Sequence, residues 1–209
     1  IDLDAPLTRY VPEFSMRVRF ADAAPITPRN LLTHHAGLPG DYLKGMWTRH
    51  PAPFAQVIPQ LKTEYASYPP NLVYSYSNLG YTLLGSLIEK VSEQDYAAYL
   101  NAAVLAPLGM TDSIFAIDPG REPQLAVGYR QGKPGAERYF LGDVPGGALF
   151  SSAAYMSRFI RVLLADGQAG TDRQARTEPL GERDDVRRDA LVLVGEEQSG
   201  AAHPGLHLI

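Results

Sequence analysis

The residues whose types and spacing could carry chemistry fall into a few short segments. They are Thr27-Pro28-Arg29-Asn30-Leu31-Leu32-Thr33-His34-His35-Ala36-Gly37-Leu38-Pro39, Tyr76-Ser77-Asn78-Leu79-Gly80-Tyr81, Pro107-Leu108-Gly109-Met110, Gly146-Gly147 ahead of Ser151-Ser152, and His203-Pro204-Gly205. Tyr76 and Asn78 set a phenol and an amide two residues apart. A free phenol titrates at about 10, so a tyrosine is a base at neutral pH only where nearby cations favour the phenolate. Taken alone, Tyr76 reads better as a tyrosine that packs its ring and bonds its hydroxyl, and Ser77 and Asn78 could be helix caps. Several other chemistries are excluded. There is no cysteine, hence no disulfide, thiolate nucleophile or cysteine zinc site. No Gly-x-Ser-x-Gly elbow, Walker A loop or dinucleotide-binding glycine pattern occurs. The histidines are His34, His35, His50, His203 and His207, with no His-Glu-x-x-His pair among them. His34 and His35, adjacent on a helix, point in different directions and make a poor metal clamp.

The elements that must position these segments are mostly helices. Residues 1–25 read as a linker with a short apolar stretch from Tyr10 to Phe14. Thr27-Pro28 opens a helix, with Thr as cap and Pro at the first helical position. Leu31 and Leu32 supply its buried side, Gly37 and Pro39 end it, and His34 closes its C-terminus. Residues 52–65 could form another helix around Pro53 and Pro59. From Ser77 or Asn78 as cap, Leu79, Leu83, Leu87, Ile88 and Val91 recur at helical spacing. Ser92 is expected to cap the next helix, with Asp95 completing a capping box and Pro107 and Gly109 closing it. Leu125 to Tyr129 is strand-like. Ser152 caps an amphipathic helix whose Met156, Phe159, Ile160 and Leu163 are expected in the core, and Gly167 stops it. Residues 171–189, crowded with Asp, Glu and Arg, read as an exposed, mobile segment. Leu191 to Val194 could be a strand.

The composition is that of an ordinary globular protein: 209 residues, 45% hydrophobic and 20% charged. A formal net charge of -4 gives no reason to expect nucleic acid or an anionic membrane as partner. No apolar run approaches a membrane span, and no signal peptide opens the chain. Ile1-Asp2-Leu3-Asp4 lacks an initiator Met, so a processed product or fragment is expected.

The ordered segments from Thr27 to Ser152 closely resemble the family of class C β-lactamases, penicillin-binding-protein-like peptidases and the esterases of the same fold. The likeness spans roughly residues 1–166, including Leu3-Asp4 to Phe14. It implies an α+β (or α/β) fold of the β-lactamase/transpeptidase type, in which this chain holds mostly the helical region and a partial antiparallel sheet. Residues 1–170 form the family-related domain, and residues 171–209 form a poorly matched C-terminal segment with part of the sheet. It also implies acyl transfer by a serine within Ser-x-x-Lys, whose spacing of three puts both side chains on one helix face. Tyr76 matches the tyrosine that helps move the proton, in a field that the motif lysine largely supplies. Asn78 matches the asparagine that contacts substrate and steadies that lysine. Gly146 and Gly147 match a stretch near the substrate cleft. His203 and Gly205 could be the His-x-Gly that borders the substrate, although Pro204 is unusual inside a strand.

No serine in the chain has lysine three residues later, and the family places that motif ahead of the segment matched by residues 3–14. The expectation is a chain without nucleophile, inactive alone and less stable than a complete family member. Its complete form would act on carboxylic esters, β-lactams or D-amino-acid peptides, with a lean to esters because no Lys-Thr-Gly is visible. The alternative is a pseudoenzyme or truncated module that binds a ligand or partner without catalysis. The expected partner is a small-molecule ester or amide substrate. No metal or organic cofactor is implied, export to the periplasm or beyond is favoured by the resemblance, and oligomeric state has no signature.

Overall fold

The computed structural model describes residues 1–42, 47–48, 52–116, 120–130, 133–134, 140–165 and 167. Two compact units make up the chain. One comprises Ile1–Leu100 with Ile114–Leu149, the other Asn101–Ser113 with Phe150–Ile209.

In the first unit, helix α1 (Pro28–Leu32) begins at the predicted cap. The Thr27 hydroxyl accepts the Asn30 backbone N–H at 3.2 Å, and Asn30 Oδ1 accepts the Thr27 N–H at 3.1 Å. This reciprocal pair satisfies two donors that a helix start otherwise leaves without partners. The helix ends before Gly37. His34 adopts φ +56, and its N–H donates to the Leu31 carbonyl while that of His35 donates to Asn30. That pair of bonds is a Schellman closure with histidine in the left-handed position usually taken by glycine. Leu31 is fully buried, but Leu32 is 43% exposed, contrary to expectation. Neighbouring residues lie about 100° apart around a helix, so only one of two adjacent leucines in so short a helix reaches the core.

Helix α2 (Asn78–Ser92) is the central element of this unit. Ser77 is extended and its Oγ accepts the Gly80 N–H at 3.0 Å. Leu79, Leu83 and Leu87 are buried along one stripe, while Val91 is exposed. They join Leu7, Val11, Phe14, Leu31, Leu38, Ile58 and Leu61 in one hydrophobic cluster. The first residues are therefore part of the core and not a linker. Leu7, Val11 and Phe14 fold inward around a short 3₁₀ turn, Leu7–Arg9, a spacing that reads as neither helix nor strand over so few residues. Phe54–Thr63 is a 3₁₀ helix accommodating Pro59, with Ile58 and Leu61 buried.

Ser92 is the last residue of α2 and not the cap of the following helix. Asp95 takes that role, accepting the Ala98 N–H at 2.9 Å ahead of α3 (Tyr96–Leu100). Glu93 at φ +57 makes the reversal between the two helices. Strand β1 (Trp47–Thr48) pairs antiparallel with β4 (Phe140–Leu141), and β2 (Tyr129–Arg130) with β3 (Lys133–Pro134). Of the predicted Leu125–Tyr129 strand, only Tyr129 is paired in a strand, although Leu125 is also extended. The four residues Val144–Gly147 form α4, which begins on Asp143 and packs against α2 so closely that a Cβ at Gly85 would overlap the ring of Pro145.

In the second unit, the chain passes through a π-helical stretch, Asn101–Leu105, to Gly109 at φ +65. Helix α5 (Ala153–Leu164) starts on Ser152, whose Oγ accepts the Tyr155 N–H at 3.3 Å, as predicted. The Tyr155 hydroxyl donates to Asp112 at 2.6 Å, and Arg158 donates to the Gly109 carbonyl. The expected core stripe of this helix is a correction: Ile160 is 48% exposed, and Leu163 is exposed beside it. Amphipathic spacing identifies which face seeks cover, but it does not by itself bury that face. Leu191 to Val194, the 171–189 segment, His203 and Gly205 lie outside the described residues.

Candidate active site

The segment 39–41 and the first turn of α2 hold each other in place, and the predicted site residues stand on that seam. The Gly40 carbonyl accepts the N–H groups of Asn78, at 2.8 Å, and Leu79, at 3.3 Å. Ser77 Oγ donates to the Pro39 carbonyl at 2.7 Å while still capping α2. One hydroxyl therefore starts the helix and docks the preceding loop. The buried imidazole of His34 completes the seam, its Nδ1 accepting the Ser77 N–H at 3.1 Å. That bond requires the neutral ring with its proton on Nε2. Burial is the main reason that His34 titrates below the ordinary histidine value, and the neighbouring His35 adds to the effect.

Tyr76 and Asn78 project from this frame to the same place. The Tyr76 hydroxyl donates to Asn78 Oδ1 at 2.9 Å, and Asn78 Nδ2 donates to Asp41 Oδ1 at 2.8 Å. The Tyr76 ring lies against the His34 ring, with centroids 4.6 Å apart, and Tyr81 and Tyr74 flank the same imidazole at 5.3 and 5.7 Å. Tyr76 is 49% exposed, so a solute can reach it. Its phenol titrates above the ordinary tyrosine value, first because of partial burial and next because Asp41 carries negative charge nearby; Tyr81, Tyr74 and Asp143 add smaller effects. In this environment the phenol holds its proton at neutral pH.

Gly146 and Gly147 lie on α4, and the link to α2 runs through Asp143. One carboxylate oxygen of Asp143 accepts the Gly146 N–H at 3.2 Å and also the hydroxyl of Thr82. Thr82 stands one helical turn beyond Asn78, whose carbonyl is also within its reach at 3.3 Å. Gly146 is glycine because a Cβ there would press into the Asp143 carboxylate. Burial pushes the Asp143 carboxyl up to about 6, against the lowering effect of Thr82 and Gly146, and Asp41 raises it further.

The structure thus brings together Tyr76 and Asn78, and attaches Gly146 and Gly147 to α2, the helix that Asn78 opens. Asp41, Thr82 and Asp143 were missed in the sequence, where no motif or spacing distinguishes them. Among the described residues, no group of three or more histidines and carboxylates could hold a metal ion. Among them too, no helix is long and apolar enough to cross a membrane.

The family model described as Beta-lactamase matches residues 1–198. Esterase EstB of Burkholderia gladioli is 32% identical over 145 residues, covering 63% of this chain and 36% of EstB. Among solved structures, the octameric penicillin-binding protein homologue from Pyrococcus abyssi superimposes with a TM-score of 0.65 at 26% identity, over 81% of this chain and 40% of that one. The beta-lactamase/D-alanine carboxypeptidase from Yersinia pestis gives a TM-score of 0.63 at 25% identity, over 84% of this chain and 50% of its own length. The fold is therefore of the β-lactamase/transpeptidase type, and the chain spans about a third of the length of the curated relatives that it matches.

Proposed function

The chain belongs to the beta-lactamase family, and from that premise we propose that it carries the tyrosine–asparagine half of an acyl-serine hydrolase site. The observation that carries this reading is the hydrogen bond from Tyr76 to Asn78 Oδ1, made by two side chains on an accessible face at the start of α2. In the complete site a Ser-x-x-Lys serine attacks the substrate carbonyl carbon. The bond to the alcohol or amine breaks, and water then releases the acyl group from the serine. Tyr76 handles the proton that passes between serine and leaving group, and Asn78 contacts the substrate. Gly146 and Gly147 lie along the cleft, and His203 and Gly205 would border it from the C-terminal segment.

The proposed substrates are carboxylic esters, β-lactams or D-amino-acid peptides. The name of EstB, an esterase, supports the lean to esters. The raised Tyr76 pKa defines what is needed: burial and Asp41 both hold the phenol protonated, so a cation must stand beside it before it can act as a base. The 209 residues contain no Ser-x-x-Lys to supply one, so these residues by themselves are proposed to be inactive. A second reading is a non-catalytic module that binds a ligand or partner on this face, where Tyr76 is 49% exposed.

The two readings part in an upstream-extended chain that carries a Ser-x-x-Lys. On the first, Tyr76→Phe lowers kcat by roughly 10²- to 10⁴-fold, the usual contribution of a positioned proton-transfer group, with little change in KM. On the second, no serine-directed phosphonate labels the extended chain, and Tyr76→Phe changes binding only.

A further inference from the structure

We propose that Asp41 is a positioning residue of the Tyr76–Asn78 pair, fixing which end of the Asn78 amide faces the phenol. The proposal rests on the reading of Tyr76 and Asn78 as site residues. A primary amide can present either its oxygen or its NH₂ group in a given direction, and the choice is made by its partners. Tyr76 alone cannot make it, because a hydroxyl both donates and accepts. An ionised carboxylate only accepts, so Asp41 at 2.8 Å demands Asn78 Nδ2 and turns Oδ1 towards Tyr76 at 2.9 Å. The phenol is then left with one option, to donate. The hydrogen-bond chain therefore runs in one direction, from the Tyr76 hydroxyl through the amide to the carboxylate.

The position of Asp41 is built and not incidental. The two residues before it, Pro39 and Gly40, accept hydrogen bonds from Ser77, Asn78 and Leu79, so its backbone is held against the same helix turn that it orients. The contact is charge-assisted, the stronger class of hydrogen bond. Other groups also face Tyr76: the His34 ring at 4.6 Å, Tyr74, Tyr81 and Asp143. Asp41 differs from them in touching the amide that touches the phenol. With the amide reversed, its NH₂ would donate to the phenol oxygen and favour the phenolate. Asp41 thus governs both the direction of the chain and the readiness of Tyr76 to give up its proton.

The test uses the 209-residue chain labelled with ¹⁵N and with ¹³Cζ-tyrosine, as parent, Asp41→Asn and Asp41→Ala. The Tyr76 titration is read from its ¹³Cζ shift and the Asn78 side-chain NH₂ from its exchange with solvent, with the α2 backbone amides reporting that the fold is kept. The expected result is a lower Tyr76 midpoint in both variants. Asn78 NH₂ exchange should become roughly tenfold faster in Asp41→Ala, where the acceptor is lost, and rise by less in Asp41→Asn, whose amide can still accept but no longer must. Unchanged Asn78 exchange in Asp41→Ala overturns the proposal whatever the Tyr76 midpoint does, because loss of the Asp41 charge alone lowers that midpoint. That outcome would leave the hydrolase reading standing. A failure of Tyr76→Phe to affect turnover in the extended chain would remove the hydrolase reading while leaving the amide measurement intact.

Discussion

His34 joins more of the site than any residue singled out for chemistry. Its backbone closes α1 in a left-handed conformation, its Nδ1 accepts the N–H of the residue between Tyr76 and Asn78, and its ring supports the Tyr76 ring. Protonation would remove the Nδ1 acceptor, leaving the Ser77 N–H buried without it. Because the folded-state pKa is lowered, the stability that His34 contributes is fully present above the ordinary value of 6.5 and is lost as pH falls towards the folded value. His34→Asn tolerates the left-handed backbone but does not titrate. Thermal unfolding of this variant is expected to lose part of the parent's decline in Tm below pH 6.5, and an identical decline in both would contradict this role. Ser77→Ala removes the cap of α2 and the anchor of the 39–41 segment. It should cost about 1 kcal/mol in denaturant unfolding for the cap alone, with a further loss for the Pro39 carbonyl.

At the scale of elements, α2 and α4 are joined by a carboxyl that titrates near neutrality. Asp143 is pushed up to about 6 from an ordinary 3.8. Its contribution to stability is therefore fully present below 3.8 and is lost as pH rises through about 6, opposite in sign to that of His34. Asp143→Asn keeps an acceptor for Thr82 and Gly146 without the charge. It should flatten the pH dependence between pH 4 and 7, and leave the variant more stable than the parent at pH 7; equal Tm values at pH 7 would contradict this. The elements divide by how far apart in the chain their determinants lie. Thr27, Ser77 and Ser152 could be read as caps because each bonds an N–H three residues ahead. The Leu79–Leu83–Leu87 stripe could be read because its period is local. Asp41 could not, since its partner lies 37 residues away, and neither could the link from Thr82 to Asp143, which spans 61 residues although Asp143 also bonds an N–H three residues ahead. Ser92 misled because a serine can end one helix as readily as cap the next. The exposed α5 stripe misled because burial is decided by what packs against a face, not by the face alone.

At the scale of the whole molecule, the chain spans about a third of its curated relatives, and the chemistry proposed needs a serine and a lysine spaced as its 209 residues nowhere place them. Family membership was legible from the order of a few short segments, although none of them alone specifies it. Tyr76 and Asn78 could be singled out from the sequence, because they flank the residue that caps α2, but the hydrogen bond between them could not. The most direct measurement is hydrolysis of p-nitrophenyl acetate and nitrocefin by this purified chain, beside an upstream-extended chain that carries a Ser-x-x-Lys. Turnover of at least one substrate is expected from the extended chain, and none above background from these 209 residues. Turnover by the 209 residues themselves would contradict this, and would mean that a serine other than that of a Ser-x-x-Lys performs the attack.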